Sequence, residues 1–219
     1  MGTWLVIGAN RGIGLELARQ LQGRGEAVIA TCRASSPELD AVGCRVLDGV
    51  DLAADDVGET LAAAVGDDVP DVVIANAGIL LGEPDGIDFD GARRQFEVNT
   101  LGPLRIATAL LPRLEPGAKL GFVSSMAGSI GDGPSGGTYG YRMSKAALNL
   151  ATANLAHELR PRGIHVVALH PGFVRTEMTR GSGNVEPAEA AAGLIARLDE
   201  LDASRSGSFV HADGRELPW

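Results

Sequence analysis

Short apolar runs alternate along this chain with longer segments whose apolar residues recur at helical spacing. Trp4-Leu5-Val6-Ile7 opens the pattern. A run that is apolar at every position predicts a strand buried on both faces of a parallel sheet. Leu15, Leu17, Ala18 and Leu21 follow with helical periodicity. Ala27 to Thr31, Cys44 to Leu47, Val72 to Ala75, Leu120 to Val123, Ile164 to Leu169 and Ser208 to His211 read as the remaining strands. A helix is predicted over Val57 to Val65, with the acidic residues of Asp51 to Asp56 near its positive end. The segment from Phe89 to Leu114 carries Phe96, Leu101, Leu104 and Leu111 along one side, and Pro187 suits the first turn of a last helix. Strand and helix in alternation call for a parallel sheet covered by helices on both faces.

Composition agrees with one α/β domain over 1–219. The chain is 45% hydrophobic, with 30 glycines against 11 prolines, unlike a disordered or low-complexity sequence. No apolar run reaches the roughly 18–20 residues that span a bilayer, and no basic, apolar leader precedes the first strand, so no membrane partner is expected. A net charge of −9 argues against nucleic acid, whose phosphates need Lys and Arg. Cys32 and Cys44 are too few for a disulfide framework and match no metal spacing, so free thiols, a cytoplasmic location and no metal are expected.

Two local patterns carry chemistry. Gly8-Ala-Asn10-Arg11-Gly12-Ile13-Gly14 lies between the first strand and the first helix. Gly8 allows a sharp turn, Gly12 lets the backbone approach a pyrophosphate, and Gly14 lets helix and strand pack closely. The phosphates would rest on the helix N-terminus. Further along, Tyr141-Arg-Met-Ser-Lys145 sets a phenol and an ammonium one helical turn apart. A cation there is expected to lower the phenol's pKa towards the working pH, where proton transfer is most efficient.

With Asn76-Ala77-Gly78, Asn99, Ser125 and Pro171-Gly172 in the same order, the chain resembles the short-chain dehydrogenases/reductases over essentially its whole length. The stretches Met126 to Ile130 and Gly136 to Asn149 are similar to the small carbonyl-reductase subgroup that includes the sniffer and C-factor proteins. The resemblance implies a Rossmann-like doubly wound sheet of about seven strands in the order 3-2-1-4-5-6-7. It also implies a small carbonyl or alcohol substrate and a catalytic tetrad. Tyr141 would exchange the proton, and Lys145 would hold the nicotinamide ribose and depress the Tyr141 pKa. Ser125 would polarise the carbonyl oxygen, and Asn99 would support a water-linked proton path to Lys145. Ordinary roles compete: Ser125 as a loop hydroxyl, Asn99 as a helix-bend or helix-contact residue. Pro171, Val174 and Thr176 match the family's nicotinamide-anchoring turn, and Val174 and Thr176 would hold the carboxamide. Relatives often pair through long helices, so a homodimer or homotetramer is expected; Ala146, Ala147, Ala151 and Ala153 would permit that or fill a monomer's core.

Cofactor choice turns on the end of the second strand. Cys32 stands where the family uses a carboxylate for the ribose hydroxyls, and Arg33 follows, with Arg11 nearby. Guanidinium pairs bidentately with phosphate, so NADP(H) is expected over NAD(H). Asp51 is the candidate adenine contact, with Asp48 competing. Met126, Ile130, Phe173 and Met178 are candidates for the substrate wall, and Arg175 to Glu186 for a small mobile lid over an open pocket. Two residues depart from the family pattern: Ile7 replaces a hydroxyl residue before the loop, and Ala75 replaces the first Asn of Asn-Asn-Ala-Gly. The alternative reading is a nucleotide-binding signalling module of the same fold with little turnover.

Overall fold

The computed structural model describes residues 2–83, 86–133 and 136–219. Seven strands form one sheet: β1 Thr3–Ile7, β2 Ala27–Thr31, β3 Arg45–Leu47, β4 Val72–Ala75, β5 Lys119–Val123, β6 His165–His170 and β7 Phe209–His211. Their order is β3-β2-β1-β4-β5-β6-β7, every pair parallel, as expected for a doubly wound Rossmann-like sheet. The helices are α1 Gly12–Gly23, α2 Pro37–Asp40, α3 Val57–Val65, α4 Phe89–Phe96, α5 Gly102–Leu110, α6 Tyr139–Leu159 and α7 Pro187–Asp199.

Alternate residues of β1 enter different cores, which is why that strand is apolar throughout. Trp4 and Val6 pack with Leu17 and Leu21 of α1 and with Leu194 and Leu198 of α7. Leu5 and Ile7 pack on the opposite side with Leu61 of α3, Ile106 of α5 and Leu148 of α6. Ile7, the residue that replaces a hydroxyl, is fully buried there. Among the described residues, no helix is long and apolar enough to cross a membrane.

Register gathers the loops. Ile7 pairs with Thr31 on one side and Ala75 on the other, Ala75 with Phe122, and Val123 with Leu169. The segments that begin at Gly8, Cys32, Asn76, Ser124 and Pro171 therefore leave the sheet along a common edge. Strand order reverses between β1 and β4, the place where open α/β sheets bind ligands.

The segment from Phe89 to Leu114 is not one regular helix. A π-helical turn, Glu97–Leu101, separates α4 from α5. It shifts the helical phase, so the buried side of α5 is Ile106, Ala107 and Leu110, not the stripe through Leu101 and Leu104 read from periodicity; Leu101 is 38% exposed. Asn99 and Thr100 are buried in the turn itself. The short α2 escaped the sequence reading, although Ser36 caps it by accepting from the Leu39 amide, and Pro37 occupies its first position.

Candidate active site

The glycine loop adopts the conformation its residues permit. Gly8 and Gly12 have φ of +84° and +55°, values that L side chains avoid. A Cβ on Gly14 would overlap the Gly8 carbonyl, so any larger residue would push α1 off the β1 turn. The Asn76 amide donates to that same carbonyl at 2.9 Å, tying the turn after β4 to the turn after β1. Ser36 donates to the Asn10 carbonyl at 2.8 Å and holds the outer side of the loop.

These turns border a cleft of about 430 Å³. Arg33 and Asp51 line one part of it; Gly12, Asn76 and Gly78 lie along it; Tyr141, Lys145, Pro171 and Thr176 close it. Gly8, Asn10, Arg11, Ile13 and Ala77 also border it, while Asp48 does not. Gly14, Asn99, Ser125 and Val174 stand outside the cleft wall. Val174 is buried and bridges to Val185, and its carbonyl accepts from Thr179.

Charge at the β2 end is asymmetric. Cys32 is buried, and its thiol is pushed up by burial, then by Asp48 and Asp40. Arg11 reaches across to pair with Glu177, a residue the sequence did not single out. Arg33 is exposed and has no carboxylate partner among the described residues.

The end of the cleft that holds Tyr141 is built from three elements. Ser125 ends the β5 segment, where its hydroxyl accepts from the Ala127 amide at 3.1 Å. Tyr141 and Lys145 come from α6, whose first amides are capped from a distance. Glu83, after β4, accepts from Tyr139 and Gly140 at 2.8 Å each. A carboxylate at a helix N-terminus satisfies free donors and complements the dipole. Asn99 lies behind Gly78: its side chain accepts from the Ile79 amide at 2.7 Å and donates to the Ile79 carbonyl and to Ser144. Both the loop after β4 and α6 are thus held by Asn99.

The expected depression of the Tyr141 pKa is not what this environment produces. Burial pushes the phenol up, and Ser125 pulls it only partway back. Lys145 is itself buried, which lowers it to about 8 and weakens it as a cation. Its ammonium donates to the Val123 carbonyl at 2.7 Å and lies 5.9 Å from the centre of the Tyr141 ring.

Other groups of the site had no clear sequence signal. Ser124 donates to the Asn149 side chain at 2.5 Å, and Asn149 lies one helical turn beyond Lys145. The only pointer to it was that spacing. Segment 175–186 is closed on itself: the Arg175 amide donates to Val185, Asn184 and Val185 donate to Phe173, and Arg175 pairs with Glu186.

Comparison with known proteins follows the same lines. The family model described as short chain dehydrogenase matches residues 3–186. The chain is 45% identical over its full length, and over the full length of the relative, to 1-hydroxy-2-glutathionyl-2-methyl-3-butene dehydrogenase of Rhodococcus sp. (strain AD45). Its fold superposes on the carbonyl reductase Sniffer of D. melanogaster with a TM-score of 0.91 at 29% identity, covering 100% of both chains. The NADPH-bound carbonyl reductase from chicken fatty liver gives the same score and identity, covering 100% of this chain and 99% of that one. The chain belongs to the short-chain dehydrogenase/reductase family, and it is an oxidoreductase.

Proposed function

We propose that this protein is an NADP(H)-dependent oxidoreductase that interconverts an aldehyde or ketone and its alcohol, with Tyr141 as the general acid/base. The observation that carries the proposal is the convergence of Tyr141 and Lys145 in one cleft wall, with Ser125 against the phenol. When bound, the nicotinamide supplies or accepts the hydride. Tyr141 gives its proton to the substrate oxygen, and a phenol pushed above its ordinary value stays protonated at neutral pH, ready to do so. Ser125 hydrogen-bonds and polarises that oxygen. Lys145 holds the nicotinamide ribose, and Asn99 supports the proton path to it.

Gly8, Asn10, Arg11, Gly12, Ile13 and Gly14 would receive the phosphates, and Arg33 the 2′-phosphate. Asp51 is proposed for the adenine because it borders the cleft and Asp48 does not. Asn76, Ala77, Gly78 and Pro171 would flank the cofactor, with Val174 and Thr176 on the carboxamide. The NADPH-bound relative supports the choice of cofactor. The Rhodococcus relative's name supports the alcohol-oxidising direction and brings a glutathione thioether into the range of substrates. Two free cysteines support action in the reducing cytoplasm, by one catalytic domain over 1–219.

The test follows NADPH absorbance with a panel of aldehydes, ketones, quinones and glutathione-conjugated alcohols. Turnover faster with NADPH than with NADH is expected. Measurable NADPH binding with silence across the panel would favour the binding-module alternative.

A further inference from the structure

The residues between Ser125 and Tyr141 include Met126 and Ile130, which the sequence offers as candidates for the substrate wall. Ile130 is 81% exposed, an apolar side chain held out into solvent. What holds it there comes from the far end of the sequence. The amides of Ile130 and Gly131 both donate to the Trp219 carbonyl, at 3.1 and 2.7 Å. Ser129 donates to the Pro218 carbonyl at 2.7 Å and accepts from the Asp132 amide at 3.0 Å. A Cβ on Gly131 would press to 2.9 Å from the Pro218 ring, so the two segments are in close contact.

Side chains lock the same junction. The Trp219 ring stacks on Phe209 of β7, with centroids 5.6 Å apart and planes 25° from parallel. Leu217 is buried with Phe209 and Ala168, and Met126 packs against that small cluster. The Leu217 amide donates to the Phe209 carbonyl at 2.8 Å, fastening the segment to the sheet edge. Both candidate wall residues are therefore set by 217–219, Met126 through its side chain and Ile130 through its backbone. Ser125 lies at the near end of the same loop.

We propose that Leu217–Pro218–Trp219 is a specificity-determining strap whose residues are positioning residues for the loop after Ser125. It fixes Met126 and Ile130 as a rigid apolar shelf that selects carbonyl substrates bearing a bulky apolar group. A strap of purely structural value would change stability and affect all substrates alike. A strap that shapes the wall discriminates by substrate size, because a misplaced wall penalises only the substrates that touch it.

The inference rests on the carbonyl-oxidoreductase reading, so its test has one arm that needs no turnover. Hydrogen exchange on the full chain should find the Ile130 and Gly131 amides protected, and Trp219→Ala should speed their exchange. Unprotected amides in the unaltered protein would remove the strap, whatever the enzyme turns over. In the kinetic arm, Trp219→Ala should lower kcat/KM for 1-phenyl-1,2-propanedione about tenfold, mostly through KM, while butanal changes less than about twofold. NADPH affinity should stay unchanged, and Trp219→Phe, which keeps a stacking ring, should restore most of the loss. If Trp219→Ala does not fold, Ser129→Ala removes one fastening alone and should show the same split in smaller measure. Equal losses for both substrates, or unchanged kinetics despite lost amide protection, would overturn the proposal.

Discussion

The Lys145 ammonium donates to the Val123 carbonyl at 2.7 Å, fastening α6 to the end of β5 two residues before Ser125. Its burial lowers the amine to about 8. A lysine whose folded-state pKa lies below the ordinary 10.5 destabilises the fold while both states are protonated. That cost fades as the pH rises from about 8 towards 10.5. Lys145→Met should therefore abolish most turnover yet raise the Tm of the protein purified without NADPH, by roughly 2–6 °C at neutral pH. Calorimetry across that pH window should show the gap closing as the pH climbs; a variant less stable at every pH would contradict the role assigned to burial.

Tyr141 separates binding from chemistry. Tyr141→Phe keeps the ring and removes the hydroxyl, so NADPH should bind within about threefold of its normal affinity while kcat falls by about 10²–10⁴. Fluorescence titration and steady-state rates read the two quantities. Wild-type-like kcat would end the acid/base assignment.

Cofactor preference is the third expectation. Replacing Cys32 by Asp and Arg33 by Ala restores a carboxylate at the β2 end and removes the unpaired guanidinium. The ratio of kcat/KM for NADPH over NADH should fall by at least about tenfold, the loss of a charge-assisted pairing. Because Cys32 is buried, Arg33→Ala alone should be measured beside the double variant, and an unmoved ratio in both would refute the assignment.

His170 is expected to contribute to the acid limb of stability. Burial first, then His211 and Arg215, lower it to about 4 from 6.5, and its buried Nδ1 has no hydrogen-bond partner among the described residues. The unfolded chain takes up a proton below 6.5 that the folded chain refuses until about 4, so stability falls as the pH drops through that interval. His170→Asn should flatten this slope in urea titrations between the two values while leaving neutral-pH turnover close to normal. An unchanged slope would show that other groups control acid unfolding.

The sheet was legible because its information is local. β2, β4 and α3 fall where periodicity predicts them, and the other strand ends differ by a residue or so. Gly8, Gly12 and Gly14 announce their turn because positive φ and close backbone approach leave few alternatives. The i,i+4 spacing of Tyr141 and Lys145 placed both on one wall. It did not reveal which neighbour would dominate the phenol's acidity. Burial decides that, and burial depends on everything packed around the pair.

Sequence alone determined the parallel sheet, the glycine turn and the placing of Tyr141 and Lys145 on one wall of the cleft, since each is written in short spacings or in continuous apolar runs. Tertiary structure decided what crosses between distant segments: Glu83 on the first amides of α6, the π-turn that buries Asn99, Lys145 on Val123, and Trp219 on the loop after Ser125. Those contacts join residues up to 89 positions apart, and no periodicity in one dimension records which carbonyl a buried donor will find. The cost of leaving an interior polar group unpaired selects the partner only after the chain has closed around it.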